Sequence, residues 1–167
     1  MRRKTEDRRM RDDGERNGAG QESIGFLIGQ AYRKISHVLT MRFKPFDITL
    51  EQFAVLFRLH EDDGITQKEL AERSGKDQPT TTRILDCLER KGMIRRQPKT
   101  DDRRAYSIYM TEEGRRIAAQ LLPIEKETLE QLTEGIPEEQ MVLFRQMLTI
   151  IQTRGVMLEG TDREQQR

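Results

Sequence analysis

The stretch Thr66-Gln67-Lys68-Glu69-Leu70-Ala71-Glu72-Arg73-Ser74-Gly75-Lys76-Asp77-Gln78-Pro79-Thr80-Thr81-Thr82-Arg83-Ile84-Leu85-Asp86-Cys87-Leu88-Glu89-Arg90 decides the fold. Thr66 with Glu69 three residues on makes a capping box, in which the two residues satisfy each other's orphan backbone amides. It opens a short helix through Arg73 that turns Leu70 and Ala71 inward. Ser74-Gly75-Lys76 is a three-residue turn containing glycine. Asp77 then N-caps a second helix, with Pro79 tolerated in the first turn, where amides lack intrahelical partners. Thr81, Ile84, Leu85 and Leu88 form its inner stripe, and Gly92 stops it after Lys91. Two short helices joined by a tight glycine turn predict a helix-turn-helix over 66–90.

Outward from this unit the pattern stays regular. Met93–Gln97 and Ala105–Met110 have strand character, and the polar run 98–104 joins them, so a β-hairpin wing is expected over 93–110. Upstream, Thr49 and Gln52 form another capping box ahead of Phe53, Leu56, Phe57 and His60, with Asp63-Gly64 closing that helix. From Ser23, Ile24, Ile28, Ala31, Ile35, Val38 and Arg42 follow helical spacing until Pro45 intervenes. Downstream, Thr111 caps a long helix bearing Ile117, Leu121, Leu122, Ile124, Leu129 and Leu132. Pro123 within it predicts a kink. Ile136-Pro137 begins a last helix with Met141, Phe144, Leu148 and Ile151. The fold class is mainly α with a small β-hairpin wing: a winged helix-turn-helix domain over 21–155 that includes N- and C-terminal dimerisation helices over 22–43 and 112–155. Those outer helices carry more apolar surface than one small lobe can cover.

Leu, Ile, Val and Phe supply 38 of the 167 residues, and none lies in 1–20. That charged stretch is expected to be a disordered tail, with a basic arm reaching a DNA groove as its functional alternative. Residues 156–167 are expected to form a polar C-terminal tail. No apolar run approaches the ~20 residues that span a bilayer, so no membrane partner is expected. The basic N-terminus lacks the apolar segment of a signal peptide. A single cysteine, Cys87, excludes an intramolecular disulfide, and no His/Cys cluster suits a structural zinc. The default compartment is the reduced cytoplasm, and nothing asks for a cofactor. An enzyme would need a nucleophile with a base, a carboxylate pair in a pocket or a phosphate-cradling glycine loop, and none is found, so no enzyme is expected.

Charge becomes informative by segment. The chain is nearly neutral, with Lys+Arg 30 against Asp+Glu 29. Residues 73–104 nevertheless carry 10 basic and 5 acidic side chains, between acidic flanks of 6 against 8 (21–72) and 7 against 11 (111–167). A positive island of this kind is the footprint of a site for a polyanion. Its plain alternative is a solvated basic face.

The second helix of the motif suits a DNA major groove. Once the inner stripe is removed, Gln78, Pro79, Thr80, Thr82 and Arg83 remain at its N-terminal, solvent-directed side. Gln pairs bidentately with adenine, Thr hydrogen-bonds or touches a thymine methyl, and Arg grips guanine or phosphate. Arg73, Lys76, Arg95 and Arg96 flank the unit as backbone-positioning cations. Arg103 and Arg104 lie at the wing tip, where a narrow minor groove attracts guanidinium. The competing class is a winged-helix protein-interaction module that never touches nucleic acid.

The runs Thr66–Gly75 and Thr80–Ile94, then Asp102-Arg103-Arg104 and Met110-Thr111-Glu112-Glu113-Gly114, resemble the MarR family of bacterial transcriptional regulators over roughly residues 22–155. The most specific part is Asp102 and Arg104 in an Asp-x-Arg wing pattern, with Arg104 seven residues before the Thr of a Leu-Thr-x-x-Gly box. Met110 replaces the usual Leu there, a volume-conserving change. The resemblance implies an obligate, triangular homodimer on a pseudo-palindromic operator in double-stranded DNA, most often as a repressor. It also implies Arg104 in the minor groove and Asp102 supporting the wing. Relatives often respond to small aromatic or amphipathic effectors, and Tyr32, His37, Met41, Phe43 and Phe57 are candidates to line such a cleft, with core packing as the alternative. Some relatives sense peroxides through a cysteine in the first helix, where this chain has none. Cys87 reads as a small core residue or, with Arg83 and Arg90 one turn either side, as a redox thiol.

Overall fold

The computed structural model describes residues 22–99 and 106–165. Two units are distinguished, one ending at Thr128 and the other beginning at Leu129.

In the first unit, α1 (Ile24–Phe43) starts where the Ser23 hydroxyl accepts from the Phe26 amide at 3.2 Å. It ends in a 3₁₀ turn (Lys44–Phe46) that holds Pro45 in its first positions. Only Leu39 and Phe43 of α1 are buried, so the apolar stripe read from Ile24 onward enters the core only near its end. Helix α2 (Leu50–Glu61) begins on the Thr49–Gln52 capping box, with both bonds at 3.2 Å. It packs against α1, against α3 (Gln67–Ser74) and α4 (Gln78–Arg90), and against β2 (Tyr106–Met110). Neighbours on so many sides widen its buried arc to Phe53, Val55, Leu56 and Leu59, whereas His60 near its end is exposed.

Helix α3 opens on the Thr66–Glu69 capping box and closes on Gly75 at φ 62°, the left-handed conformation that favours glycine. The Lys76 amide donates to the Ala71 carbonyl at 3.0 Å, which sets the turn into α4. Strand β1 (Ile94–Pro98) pairs antiparallel with β2 in the register Ile94↔Met110 to Pro98↔Tyr106. On the other side of β2, the Ile108 amide donates to Ile65 O and its carbonyl accepts from Gly64 N, both at 2.9 Å. The residues closing α2 thus become a short third rung, which the turn signal Asp63-Gly64 did not reveal.

One core runs from Leu39 and Phe43 through α2, Leu70, Ile84, Leu85 and Leu88 to Ile108, Met110, Ile117 and Leu121. Helix α5 (Glu112–Leu132) is tied to it twice. Arg42 of α1 donates to the buried Thr128 hydroxyl at 2.8 Å. At its start, the Thr111 hydroxyl accepts from the Gly114 amide (3.1 Å) and donates to the Gly92 carbonyl (2.6 Å). The helix runs on through Pro123.

In the second unit, α6 covers Glu138–Gln165. It continues past residue 155, so 156–165 is helical instead of a separate tail: no proline follows Pro137 to stop it, and Gly155 and Gly160 are absorbed within the helix. Val142, Phe144, Met147, Ile150, Ile151 and Met157 are all exposed on it. The expected tail over 1–20 lies outside the described residues.

A Cβ added at Gly114 would stand 2.0 Å from the Met93 carbonyl oxygen, a backbone atom that cannot swing aside. Gly114→Ala is therefore expected to lower stability by about 2–3 kcal/mol, read from urea unfolding as a lower midpoint with an unchanged slope.

Candidate nucleic-acid interface

The N-terminal turn of α4 is built by Asp77. Its carboxylate accepts from the Thr80 amide at 2.7 Å. Bonds from the Thr80 amide and hydroxyl, then the charges of Arg83 and Lys76, hold its carboxyl below the usual range. The cap leaves α4 with Thr81, Ile84, Leu85 and Leu88 buried, the stripe read from the sequence. Gln78, Pro79 and Arg83 are exposed, and Thr80 and Thr82 are half-buried. Gln78, able to hydrogen-bond, and Arg83, able to grip phosphate, thus face solvent together near the positive end of a helix dipole.

The flanking cations divide into different roles. Lys76 sits half-buried in the turn. Arg73 pairs with Asp62 at 2.9 Å, and its carbonyl accepts from Arg58 Nε at 3.1 Å, so it fastens α3 to the end of α2. Arg95 lays its guanidinium 5.0 Å from the centre of the Tyr109 ring, its partner across the ladder. Arg96, read from the sequence as a backbone-positioning cation, reaches Asp86 at 2.6 Å and Glu89 at 2.5 Å. Its side chain is only 19% exposed, and its own amide donates to Glu89 at 3.3 Å. Two acidic residues one turn apart on α4, opposite a strand arginine, were the available sequence signal for this brace. Asp102, Arg103 and Arg104 lie outside the described residues.

Cys87 is half-buried, and its Sγ accepts from Gln52 Nε2 at 3.1 Å. Gln52 Oε1 in turn accepts from the Thr49 amide and from Lys91 Nζ (3.4 Å), and Lys91 pairs with Asp47 at 2.9 Å. The thiol therefore belongs to a polar seam between α2 and α4, while Arg90 turns its Nε to the Asp86 carbonyl (3.3 Å).

A cavity of about 680 Å³ opens between α1 and the start of α2. Tyr32, His37 and Met41 line it, together with Arg33, Lys44, Asp47 and Glu51. Phe57 and Phe43 do not. Phe43 is fully buried against Phe53 (4.8 Å between ring centres), and Phe57 meets Phe53 with its ring tilted, 6.1 Å between centres. Among the described residues no cluster of His, Cys, Asp and Glu suits a metal ion, and no helix is long and apolar enough to cross a membrane.

Removing the brace exposes its role. Arg96→Ala is expected to leave Asp86 and Glu89 as unbalanced like charges, to cost about 1 kcal/mol at low salt, and to speed amide exchange in 94–98. Arg96→Lys, which cannot span both carboxylates at once, should recover only part of the loss.

Comparison with known proteins places these features in context. The MarR family model matches residues 48–106. A MarR transcriptional regulator from Methanosarcina mazei Go1 is 30% identical, with 81% of this chain and 97% of that chain covered and a TM-score of 0.74. A cysteine-to-serine mutant of MarR from E. coli, complexed with operator DNA, is 28% identical over 77% of this chain and 92% of its own, at a TM-score of 0.72. The transcriptional repressor CouR bound to a 23-mer DNA duplex is 27% identical over 80% of this chain and 95% of its own, at 0.74.

Proposed function

This chain belongs to the MarR family, and from that premise we propose that it is a homodimeric, sequence-specific regulator of transcription that binds double-stranded DNA. The observation that carries the reading is the exposed N-terminal arc of α4, Gln78, Pro79 and Arg83 with Thr80 and Thr82 beside them, set in the basic segment of the chain. An α-helix fits the major groove, where every base pair shows a distinct donor and acceptor pattern. Lys76 and Arg83 suit phosphate or guanine, and Arg95, stacked on Tyr109, is held stiffly enough to meet the backbone. Arg103 and Arg104 of the wing are assigned to the minor groove, with Asp102 supporting them. Arg73 and Arg96 are assigned to holding the elements in place.

A second copy is the proposed cover for the apolar faces of α1 and α6, where Phe26, Leu27 and Ile28 on one and Leu143, Phe144 and Ile150 on the other stand exposed. Two-fold symmetry puts the recognition helices about one DNA turn apart, ~34–36 Å, which calls for a pseudo-palindromic operator. Repression is the proposed direction. The cavity beside Tyr32, His37 and Met41 is the proposed seat of a small aromatic or amphipathic effector, because aromatic, apolar and charged groups converge there. Cys87 is assigned to structure, as an acceptor for Gln52. The reading is of a non-enzymatic protein without a cofactor, acting in the cytoplasm.

Selection from a random duplex pool is expected to enrich a pseudo-palindrome. Affinity for it should fall roughly a hundredfold or more between about 50 and 200 mM salt. Light scattering should give twice the chain mass of 19.6 kDa. Arg83→Ala and Arg104→Ala are each expected to weaken binding by about 1–3 kcal/mol while the dimer persists. A protein that enriches no duplex at any salt concentration would speak instead for a protein-interaction module.

A further inference from the structure

Thr82 lies in the second turn of α4, and its hydroxyl is engaged twice. It donates to the Gln78 carbonyl one turn back at 2.9 Å. It also accepts from Nε2 of Gln67, the first residue of α3, at 2.8 Å. A threonine hydroxyl carries one proton. With that proton on the Gln78 carbonyl, none remains to donate to a base edge or a phosphate. Threonine in a helix divides between two rotamers because its oxygen can bond a carbonyl of the preceding turn, and the Gln67 amide selects the rotamer that makes this bond. Turning the hydroxyl outward would break both bonds and strand the half-buried Gln67 amide without its acceptor. With the oxygen held between helices, the group at Cβ left to meet a ligand is the methyl.

Neighbouring threonines are used differently. The Thr81 hydroxyl donates to the Asp77 carbonyl at 2.9 Å and is fully buried. Thr80 gives its amide and hydroxyl to the Asp77 carboxylate. Thr82 is the member of the trio that combines partial exposure with an oxygen tied to the other helix of the motif.

We propose that Thr82, with Gln67 locking its rotamer, reads the C5-methyl group of a thymine in each half-site by apolar contact and not by hydrogen bonding. The inference rests on the DNA-binding reading above and narrows it: hydrogen bonding and methyl contact are both open to a threonine in general, and here the proton and one of the two lone pairs of the oxygen are already taken within the motif, which favours the methyl.

Replacing thymine by uracil removes that methyl and leaves every hydrogen-bonding group of the base in place. With the duplex selected by the wild-type protein, single replacements are made along one half-site and affinities measured by fluorescence anisotropy. One position is expected to lose about fourfold on replacement, the value of one buried methyl, and about fifteenfold when both half-sites are changed. Thr82→Val, which keeps the methyl and loses the hydroxyl, should retain that ratio. Thr82→Ser, which keeps the hydroxyl and its bonds but loses the methyl, should bind the thymine and uracil duplexes equally. Loss of the ratio in Thr82→Val, its persistence in Thr82→Ser, or wild-type indifference to every replacement overturns the inference while DNA binding stands. A wild-type protein that enriches no duplex overturns the underlying reading as well.

Discussion

The geometry of the lobe hangs on one close approach, that of the first turn of α5 to the backbone just after α4. Gly114 sits where any side chain would collide with the Met93 carbonyl. Thr111 closes the same joint, with its amide on Met93 O at 3.0 Å and its hydroxyl on Gly92 O at 2.6 Å. Gly92, at φ 68°, ends α4 and turns the chain into the hairpin. The end of the recognition helix, the base of the wing and the start of the long helix therefore meet within a few residues. A change at any of the three displaces the other two, because an interior this closely packed has no slack to absorb it.

Much of this was legible beforehand, for local reasons. The capping boxes at Thr49 and Thr66, the Asp77 cap, the Gly75 turn and the buried stripe through Thr81, Ile84, Leu85 and Leu88 are all set by residues three or four apart, and the structure has each of them. What depends on contacts between distant residues was not legible. The third rung at 64–66 is created by β2, the broad burial of α2 by neighbours on several sides, and the Phe43–Phe53 ring contact by the packing of α1 on α2. Periodicity marks a face as apolar without saying what lies against it. For that reason the alternatives at Phe57, cleft or core, stay open in the sequence, and the contact with Phe53 is what separates them.

The positive island illustrates the same division. Counted along the chain, Arg73, Arg95 and Arg96 look alike, yet one is paired with Asp62, one stacked on Tyr109 and one bound between Asp86 and Glu89. Part of the charge in that segment is spent on holding its own architecture. The exposed end of α4 is correspondingly sparse, with Gln78, Pro79 and Arg83 the exposed residues of its first two turns.

The Glu89–Arg96 contact has a further consequence at the outer margin of the hairpin. Tyr109 and Ser107 face Arg95 and Gln97 across the ladder, so the amides of residues 94, 96 and 98 point away from β2. Such an edge is a template on which another extended chain can assemble. Here the Arg96 amide is already occupied by Glu89, and Pro98 has no amide hydrogen to offer. Two of the three outward positions on the described part of this edge are therefore closed to strand-on-strand pairing.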